Sequence, residues 1–373
     1  MLRLALDATA LLDARTGVGA FTAAVLERMA PRSDLVVSAY AVTWRNRGRL
    51  AARLPDGVRA VGTPMPAGLL RAGWVRCDLP PIEWFTGSVD VVHGTNFVVP
   101  PARRAARVVT VHDLTPWRFP ELAIAATRSY PDLVARAART GAWVHAVSDF
   151  VADEVRDVIA IDPERVVAIA NGAPALGPVT PTTGAGSGRM LAGGDRYVLA
   201  LGTVEPRKDL PALVVAFDAL AAGDPGLRLV LAGQDGWGAE ALATTIDVAH
   251  HRNRIVRLGW VSDDDRAALI RGATVFAYPS HYEGFGLPPL EAMAAGTAVV
   301  TTTAGALPEV VGDAAVLVPP GDSDALAGAI GSLLADDALR ARLVAAGHRR
   351  RASFSWDRCT DDLVALYHRA ASG

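Results

Sequence analysis

Cysteine and lysine are the residues this sequence nearly does without. Two cysteines, Cys77 and Cys359, in 373 residues build neither a disulfide framework nor a cysteine metal cluster, so the expected setting is a reducing compartment. Long apolar runs are missing too. None reaches the roughly 20 residues of a membrane-spanning helix. The first apolar segment opens at Leu2 with no signal-peptide pattern before it, and the expectation is a cytoplasmic protein. A formal net charge of −2 lacks the basic footprint of a nucleic-acid binder. Before residue 172, 20 arginines face 17 acids. That slight excess permits peripheral contact with the inner face of an anionic membrane, and a solvated face accounts for it equally.

What is present describes a folded α/β protein. Hydrophobic residues make up 51% and charged residues 20%, and a single core seldom grows past about 250–300 residues, so two domains are expected. Short apolar segments at 2–6, 35–42, 58–61, 89–93, 107–111, 143–147 and 166–169 alternate with helical or polar spans. A second series follows at 197–201, 227–232, 255–258, 275–278 and 298–301. The alternation predicts mainly parallel, doubly wound sheets. Between the series, Leu176–Asp195 is rich in Gly, Pro, Thr and Ser without a hydrophobic period and reads as a linker. The divisions are 1–175, a linker at 176–195, 196–355, and an amphipathic final helix within 356–373. In 64–85, Trp74, Trp84 and Phe85 stand among prolines and arginines, as core packing or as a surface for sugar rings or lipid.

The chemistry concentrates in 275–300, a strand, a Pro/Gly-rich turn, a helix and a second strand. Gly284 and Gly286 let the backbone approach a ligand, and Pro288 and Pro289 suit a first helical turn. The helix then directs N–H groups and partial positive charge at that ligand. Glu283 and Glu291 bracket the loop. An anion site flanked by carboxylates suits a ligand with a diphosphate and many hydroxyls, a sugar nucleotide; a plain corner with surface acids is the other reading. The only lysine, Lys208, stands beside Arg207 in the loop after the strand 197–201. A guanidinium fork and an ammonium point charge at a helix entrance suit a diphosphate.

The stretch Glu283-Gly-Phe-Gly-Leu-Pro-Pro-Leu-Glu291 resembles the E-x7-E signature of retaining glycosyltransferases of family 4, which have the GT-B fold. The resemblance is clear over about 197–320 and fainter but ordered before it. It implies two facing Rossmann-like domains with an interdomain cleft, the first on the acceptor side, the second holding the donor, and the final helix crossing back to the first. It also implies roles. Glu283 lies against the donor sugar beside Gly284 and Phe285, and Glu291 hydrogen-bonds the ribose. Arg207 and Lys208 hold the diphosphate with Gly286 and Leu287, and Gly259, Trp260 and Val261 meet the base largely through backbone groups. In the loop Arg15-Thr-Gly-Val-Gly, the glycines Gly17 and Gly19 come before a helix and face the donor phosphates. That loop lacks the third glycine of a dinucleotide fingerprint, which argues against a nicotinamide cofactor.

His112-Asp113 follows the strand 107–111, where open α/β sheets bind ligands; the family places such a histidine near the transferred sugar, with the aspartate orienting it. Asp263–Asp265 look like a metal triplet but fit a helix start better. The expected activity is hexose transfer with retention, mannose from GDP-mannose first among donors, to a hydroxyl of a glycan, lipid-linked or small-molecule acceptor. No metal or further cofactor is required. Front-face attack, with the leaving phosphate taking the acceptor proton, follows from the resemblance. A non-catalytic sugar-nucleotide-binding subunit and a sugar-nucleotide epimerase are the alternatives.

Overall fold

Helical crossovers return the chain to the same end of each sheet, so every strand pairs in parallel with its neighbours. The computed structural model describes residues 1–12, 17–44, 46–120 and 127–373. These form two compact units, Met1–Gly172 with Phe354–Gly373, and Ala173–Ser353. The first holds β1 Leu2–Asp7, β2 Leu35–Tyr40, β3 Arg59–Ala60, β4 Val91–Gly94, β5 Ala106–Val111, β6 Trp143–Ala146 and β7 Val166–Ala168. Their spatial order is β3-β2-β1-β4-β5-β6-β7. The second holds β8 Arg196–Leu201, β9 Leu227–Ala232, β10 Ile255–Gly259, β11 Val275–Tyr278, β12 Ala298–Thr302 and β13 Ala315–Val318, in the order β10-β9-β8-β11-β12-β13. In both, strand order reverses at the centre, between β1 and β4 and between β8 and β11. Crossovers leave such a point in opposite directions, and the carboxyl ends there open into a crevice.

Each strand read from the sequence is present, with ends moved by at most two residues. The edge strand β13 was not read from the sequence; its four residues are mostly only half-buried. Leu176–Asp195 departs from the linker reading, since Ala185–Ala192 is a helix packed against the helix Asp263–Gly272. Its glycines erase the hydrophobic period, and one of them, Gly188, is the contact itself. A Cβ at Gly188 would stand 2.0 Å from the Ala268 carbonyl oxygen. The irregular part is tied down by Arg271, which donates to the carbonyls of Leu176, Gly177 and Thr183.

The final helix, Trp356–Ser372, belongs to the first unit and packs on the helix Gly17–Met29, β4 and β5. Trp356, Leu363, Val364 and Tyr367 join Leu4, Leu6, Phe21 and Leu26 in one core. A polar chain runs through that apolar setting. Nε2 of His145 lies 2.9 Å from the Ile169 carbonyl, which can only accept, so that nitrogen carries the proton. Nδ1 of His145 then accepts from the Thr110 hydroxyl at 2.9 Å. Thr110 Oγ1 in turn accepts from Nε2 of His93 at 2.7 Å, and His93 Nδ1 accepts from the Tyr367 hydroxyl at 2.6 Å. Every proton has one place, and all four groups are neutral. Burial agrees: it drives His93 well below the usual histidine range, His145 down to about 4, and Tyr367 up.

Two measurements follow. The unfolded His145 titrates near 6.5 and the folded one near 4, so acid favours the unfolded chain. Stability should be complete above pH 6.5 and fall toward pH 4, with His145 contributing up to ~1.4 kcal/mol per pH unit. Urea unfolding across that range should show His145→Gln losing this part of the slope. Gly188→Ala should cost ~1–3 kcal/mol through its backbone clash. Gly186→Ala, where a Cβ meets open space, should gain up to ~1 kcal/mol of helix propensity in the same titration.

Candidate functional site

In the second unit, the two loops flanking the reversal of strand order are laced together. After β8 the chain makes a short 3-10 turn, Pro206–Lys208, and enters the helix Leu210–Ala221 through Asp209. Asp209 takes the left-handed conformation at φ 47° and caps that helix by accepting from the Ala212 N–H. Its other carboxylate oxygen lies 2.8 Å from His281 Nε2, in the loop after β11. The His281 N–H donates to the Arg207 carbonyl at 2.7 Å, and Arg207 donates to the Tyr282 carbonyl at 3.2 Å. Cross-loop bonds therefore fix where the cations sit.

Those cations converge on Glu283. Arg207 Nη1 is 2.8 Å and Lys208 Nζ 2.5 Å from Oε1 of Glu283. Arg207 Nε also meets Glu205 at 2.8 Å. Lys208 donates to the Tyr278 hydroxyl, and its ammonium stands 4.4 Å from the centre of that ring. Lys208, Tyr278 and Glu283 are all nearly buried. Burial works to raise the Glu283 carboxyl, but Lys208 and Arg207 outweigh it and hold the group down at about 2. Glu283 is thus a carboxylate throughout the physiological range.

The backbone of Glu283 is held as firmly. Its carbonyl accepts from Ala306 N–H at 2.9 Å, and a Cβ on Gly305 would lie 2.3 Å from that carbonyl oxygen. Gly286, at φ 116°, caps the helix Leu287–Ala295, with Pro288 and Pro289 in its first turn. Gly286 and Leu287 thus stand at a helix N-terminus, where a helix directs N–H groups toward an anion. Gly284 and Phe285 are buried, so Phe285 contributes its ring to the core. Glu291 lies on the second turn, buried, and pairs with Arg266 of the helix Asp263–Gly272. Ser262 caps that helix by accepting from the Asp265 N–H and donates to the Asp265 carboxylate. The acids at 263–265 therefore belong to a helix start.

Toward β9 and β10, a hollow at the carboxyl ends is bounded by Gly202, Val204, Gly233, Asp235, Arg257 and Gly259. The Gly259 carbonyl accepts from Gly233 N–H at 2.7 Å, and Arg257 pairs with Asp235 at 2.6 Å. Trp260 is 69% exposed beside it and continues through Val261 to the capped helix. The chain thus brings Arg207, Lys208 and Glu283 into contact, with Gly286, Leu287 and Glu291 on the helix that follows. Tyr278, Glu205, Arg266 and His281 were missed in the sequence. The adjacency of β8 and β11, which sequence order hides, brings Tyr278 and His281 to the cation loop; Glu205 is local to Arg207, and Arg266 reaches Glu291 across two packed helices.

The first unit holds His112 at the end of β5, half-buried, with its ring 5.4 Å from Phe21 and 6.4 Å from Phe97. Nε2 donates to the Thr95 carbonyl at 2.8 Å. Burial lowers the histidine, so the ring is neutral and Nδ1 is an acceptor. Asp113 does not orient the ring through a hydrogen bond. Its carboxylate accepts from the Thr115 N–H at 2.8 Å and closes the next turn. Gly17 and Gly19 do not precede a helix but form the first turn of one, Gly17–Met29; Arg15 and Thr16 lie outside the described residues. The aromatic stretch at 64–85 divides. Trp74 is core, donating to the Pro80 carbonyl, whereas Trp84 is 62% exposed.

Comparison with known proteins follows the same division. Residues 15–175 match the family described as Glycosyltransferase Family 4, and residues 189–350 match Glycosyl transferases group 1. The chain is 33% identical to O-antigen chain mannosyltransferase B of Escherichia coli, over 74% of each chain. It is 32% identical to MMP alpha-(1->4)-mannosyltransferase of Mycolicibacterium hassiacum, over 76% of this chain and 71% of that protein. Among solved structures, sucrose-phosphate synthase from Thermosynechococcus elongatus aligns with a TM-score of 0.75 at 21% identity over 99% of both chains. Anabaena HepE in complex with UDP-glucose aligns at 0.73 and 21% identity, over 100% of this chain and 99% of that one. With two parallel-sheet Rossmann-like units and relatives of this closeness, the chain belongs to the family 4 glycosyltransferases of GT-B fold.

Proposed function

We propose that this glycosyltransferase moves mannose from GDP-mannose to an acceptor hydroxyl with retention at the anomeric carbon. The observation that carries the reading is the meeting of Arg207, Lys208 and Glu283 at the β8/β11 reversal, above a glycine-capped helix N-terminus. Two fixed cations and a helix N-terminus can stabilise a leaving diphosphate as its charge develops, through preorganised electrostatics and without a metal. Glu283 pairs with both cations. A diphosphate offers them other anionic partners and frees the carboxylate to face a sugar acquiring positive charge. Tyr278 keeps an acceptor on Lys208 during that exchange.

The remaining roles are those the family resemblance implies, taken as part of the proposal. Glu291, held by Arg266, takes ribose hydroxyls, and the hollow edged by Gly259, Trp260 and Val261 takes the base. Gly19 adds a first-turn backbone group toward the phosphates, and the unprotonated Nδ1 of His112 accepts from a sugar hydroxyl. Front-face attack, with the leaving phosphate oxygen taking the acceptor proton, needs no protein nucleophile. Mannose is favoured because relatives over 30% identical are named mannosyltransferases. Related folds solved with UDP or UDP-glucose keep uridine in the trial set. Among the described residues no helix is long and apolar enough to cross a membrane. The exposed Trp84, with Arg103 over its ring at 5.7 Å, suits peripheral contact during work on a lipid-linked acceptor at the cytoplasmic face.

A thermal-shift panel of GDP, UDP, dTDP, ADP and CMP, with and without magnesium, tests the donor reading. GDP should raise the midpoint of the wild type without metal, and Lys208→Ala should abolish the shift. Failure of every nucleotide at millimolar concentration would overturn the reading. In transfer assays Lys208→Ala and Glu283→Ala should each lower kcat/KM by ~10²–10³. Tyr278→Phe, which removes one hydrogen bond to a charged group, should cost roughly tenfold, and it should weaken GDP binding more than GMP binding. Near-normal turnover in any variant would remove that residue from the mechanism.

A further inference from the structure

The reversal of strand order in the first unit has a polar floor that the donor chemistry leaves unused. Asp7 ends β1 and Tyr40 ends β2, and the two are register partners in the parallel pair. Leu4, Leu6 and Ala8 face the core beneath the helix Gly17–Met29, as do Val37, Ala39 and Ala41. Alternation therefore turns Asp7 and Tyr40 together to the opposite face. Asp7 is 6% exposed and Tyr40 is fully buried.

Their hydrogen bonding is incomplete. Asp7 Oδ1 accepts from the Thr9 N–H at 2.8 Å and the Thr9 hydroxyl at 2.5 Å, but Oδ2 accepts nothing among the described residues. The Tyr40 hydroxyl has no partner there either. Leaving a buried polar group unpaired costs about 1–3 kcal/mol, and here the orphaned Tyr40 hydroxyl belongs to the register partner of the half-paired Asp7, at the carboxyl ends of the strands where α/β sheets bind ligands. Burial raises both groups, and the Asp7 charge raises Tyr40 further. Arg71, whose charge acts on both Asp7 and Tyr130, lies 5.7 Å from the centre of the Tyr130 ring. Tyr130 stacks on Phe97 at 5.1 Å, and Phe97 is held at φ 58°. A left-handed phenylalanine is costly and marks an over-determined position.

We propose that Asp7 and Tyr40, backed by Arg71, form a binding subsite for a neutral ring bearing vicinal hydroxyls, a sugar or a cyclitol. A hydroxyl donates to Asp7 Oδ2 and a neighbouring one accepts from Tyr40. The open atom on Asp7 is a carboxylate oxygen, which repels an anion and accepts from a hydroxyl, so a neutral ring is the better fit. The subsite rests on the transfer reading only in that it makes this ring the acceptor.

Asp7→Asn is the sharp variant, because it can keep Oδ1 on Thr9 while turning the open acceptor into a donor. Tyr40→Phe is the second, since it removes the other orphan without changing shape. Binding of methyl α-D-mannopyranoside, myo-inositol and inorganic phosphate is measured by saturation-transfer NMR on the full chain, and GDP and UDP binding is measured in parallel. The expected result is millimolar binding of a neutral ring by the wild type. It should be weakened at least ~10-fold in Asp7→Asn and several-fold in Tyr40→Phe, with nucleotide binding unchanged. No ring binding by the wild type, unaltered ring binding in a folded variant, or binding of phosphate alone would each overturn the subsite. If Asp7→Asn does not fold, Tyr40→Phe decides. Loss of nucleotide binding by the wild type would count against the donor reading and leave the ring result standing.

Discussion

The arrangement of the second unit depends on one electrostatic constraint: a buried carboxylate must be matched by buried cations. Glu283 alone in this setting would be driven neutral by burial, and Lys208 alone would be driven toward its uncharged amine. Together, with Arg207 and Glu205, they form a nearly balanced group in a setting too dry to hold any one of them singly. The loops that carry them are therefore specified by backbone bonds. The His281 N–H to the Arg207 carbonyl and the Ala306 N–H to the Glu283 carbonyl fix the main chain before the side chains meet. A site built this way carries much of its organisation before ligand arrives.

The same requirement for complete pairing is answered differently in the two units. In the second, charges pair across loops. In the first, neutral groups pair in a line from Tyr367 to the Ile169 carbonyl, and no net charge enters the core. Asp7 and Tyr40 stand apart from both solutions, which is what makes them informative.

The fold was legible because parallel sheets buried on both faces leave unbroken apolar runs, as at 229–232 and 275–278. The loop 283–291 was legible because glycines, prolines and acids fall at fixed offsets over a few residues. What sequence order hides is lateral adjacency. Lys208 and Tyr278 are 70 residues apart and meet only because β11 lies beside β8. Arg266 reaches Glu291 because two helices pack. Composition misled at 176–195, where small residues signalled close helix packing and not freedom. It also gave no sign that the His112 ring bonds to Thr95 while Asp113 turns to the next backbone N–H. Asp7 went unnoticed because a single acid ending an apolar strand has no spacing to read.

The helix Trp356–Ser372 carries a consequence for how the molecule comes into being. The first unit is discontinuous in sequence, since its last element is synthesised only after all of Ala173–Ser353. The second unit is continuous and can complete its core at once, whereas the first must wait with His93 lacking the Tyr367 hydroxyl and with Phe21 and Leu26 uncovered. Contacts of such sequence separation form late and slowly. The older half of the chain is therefore the last to mature, and the interval before its closing helix docks is when its exposed core most needs shelter.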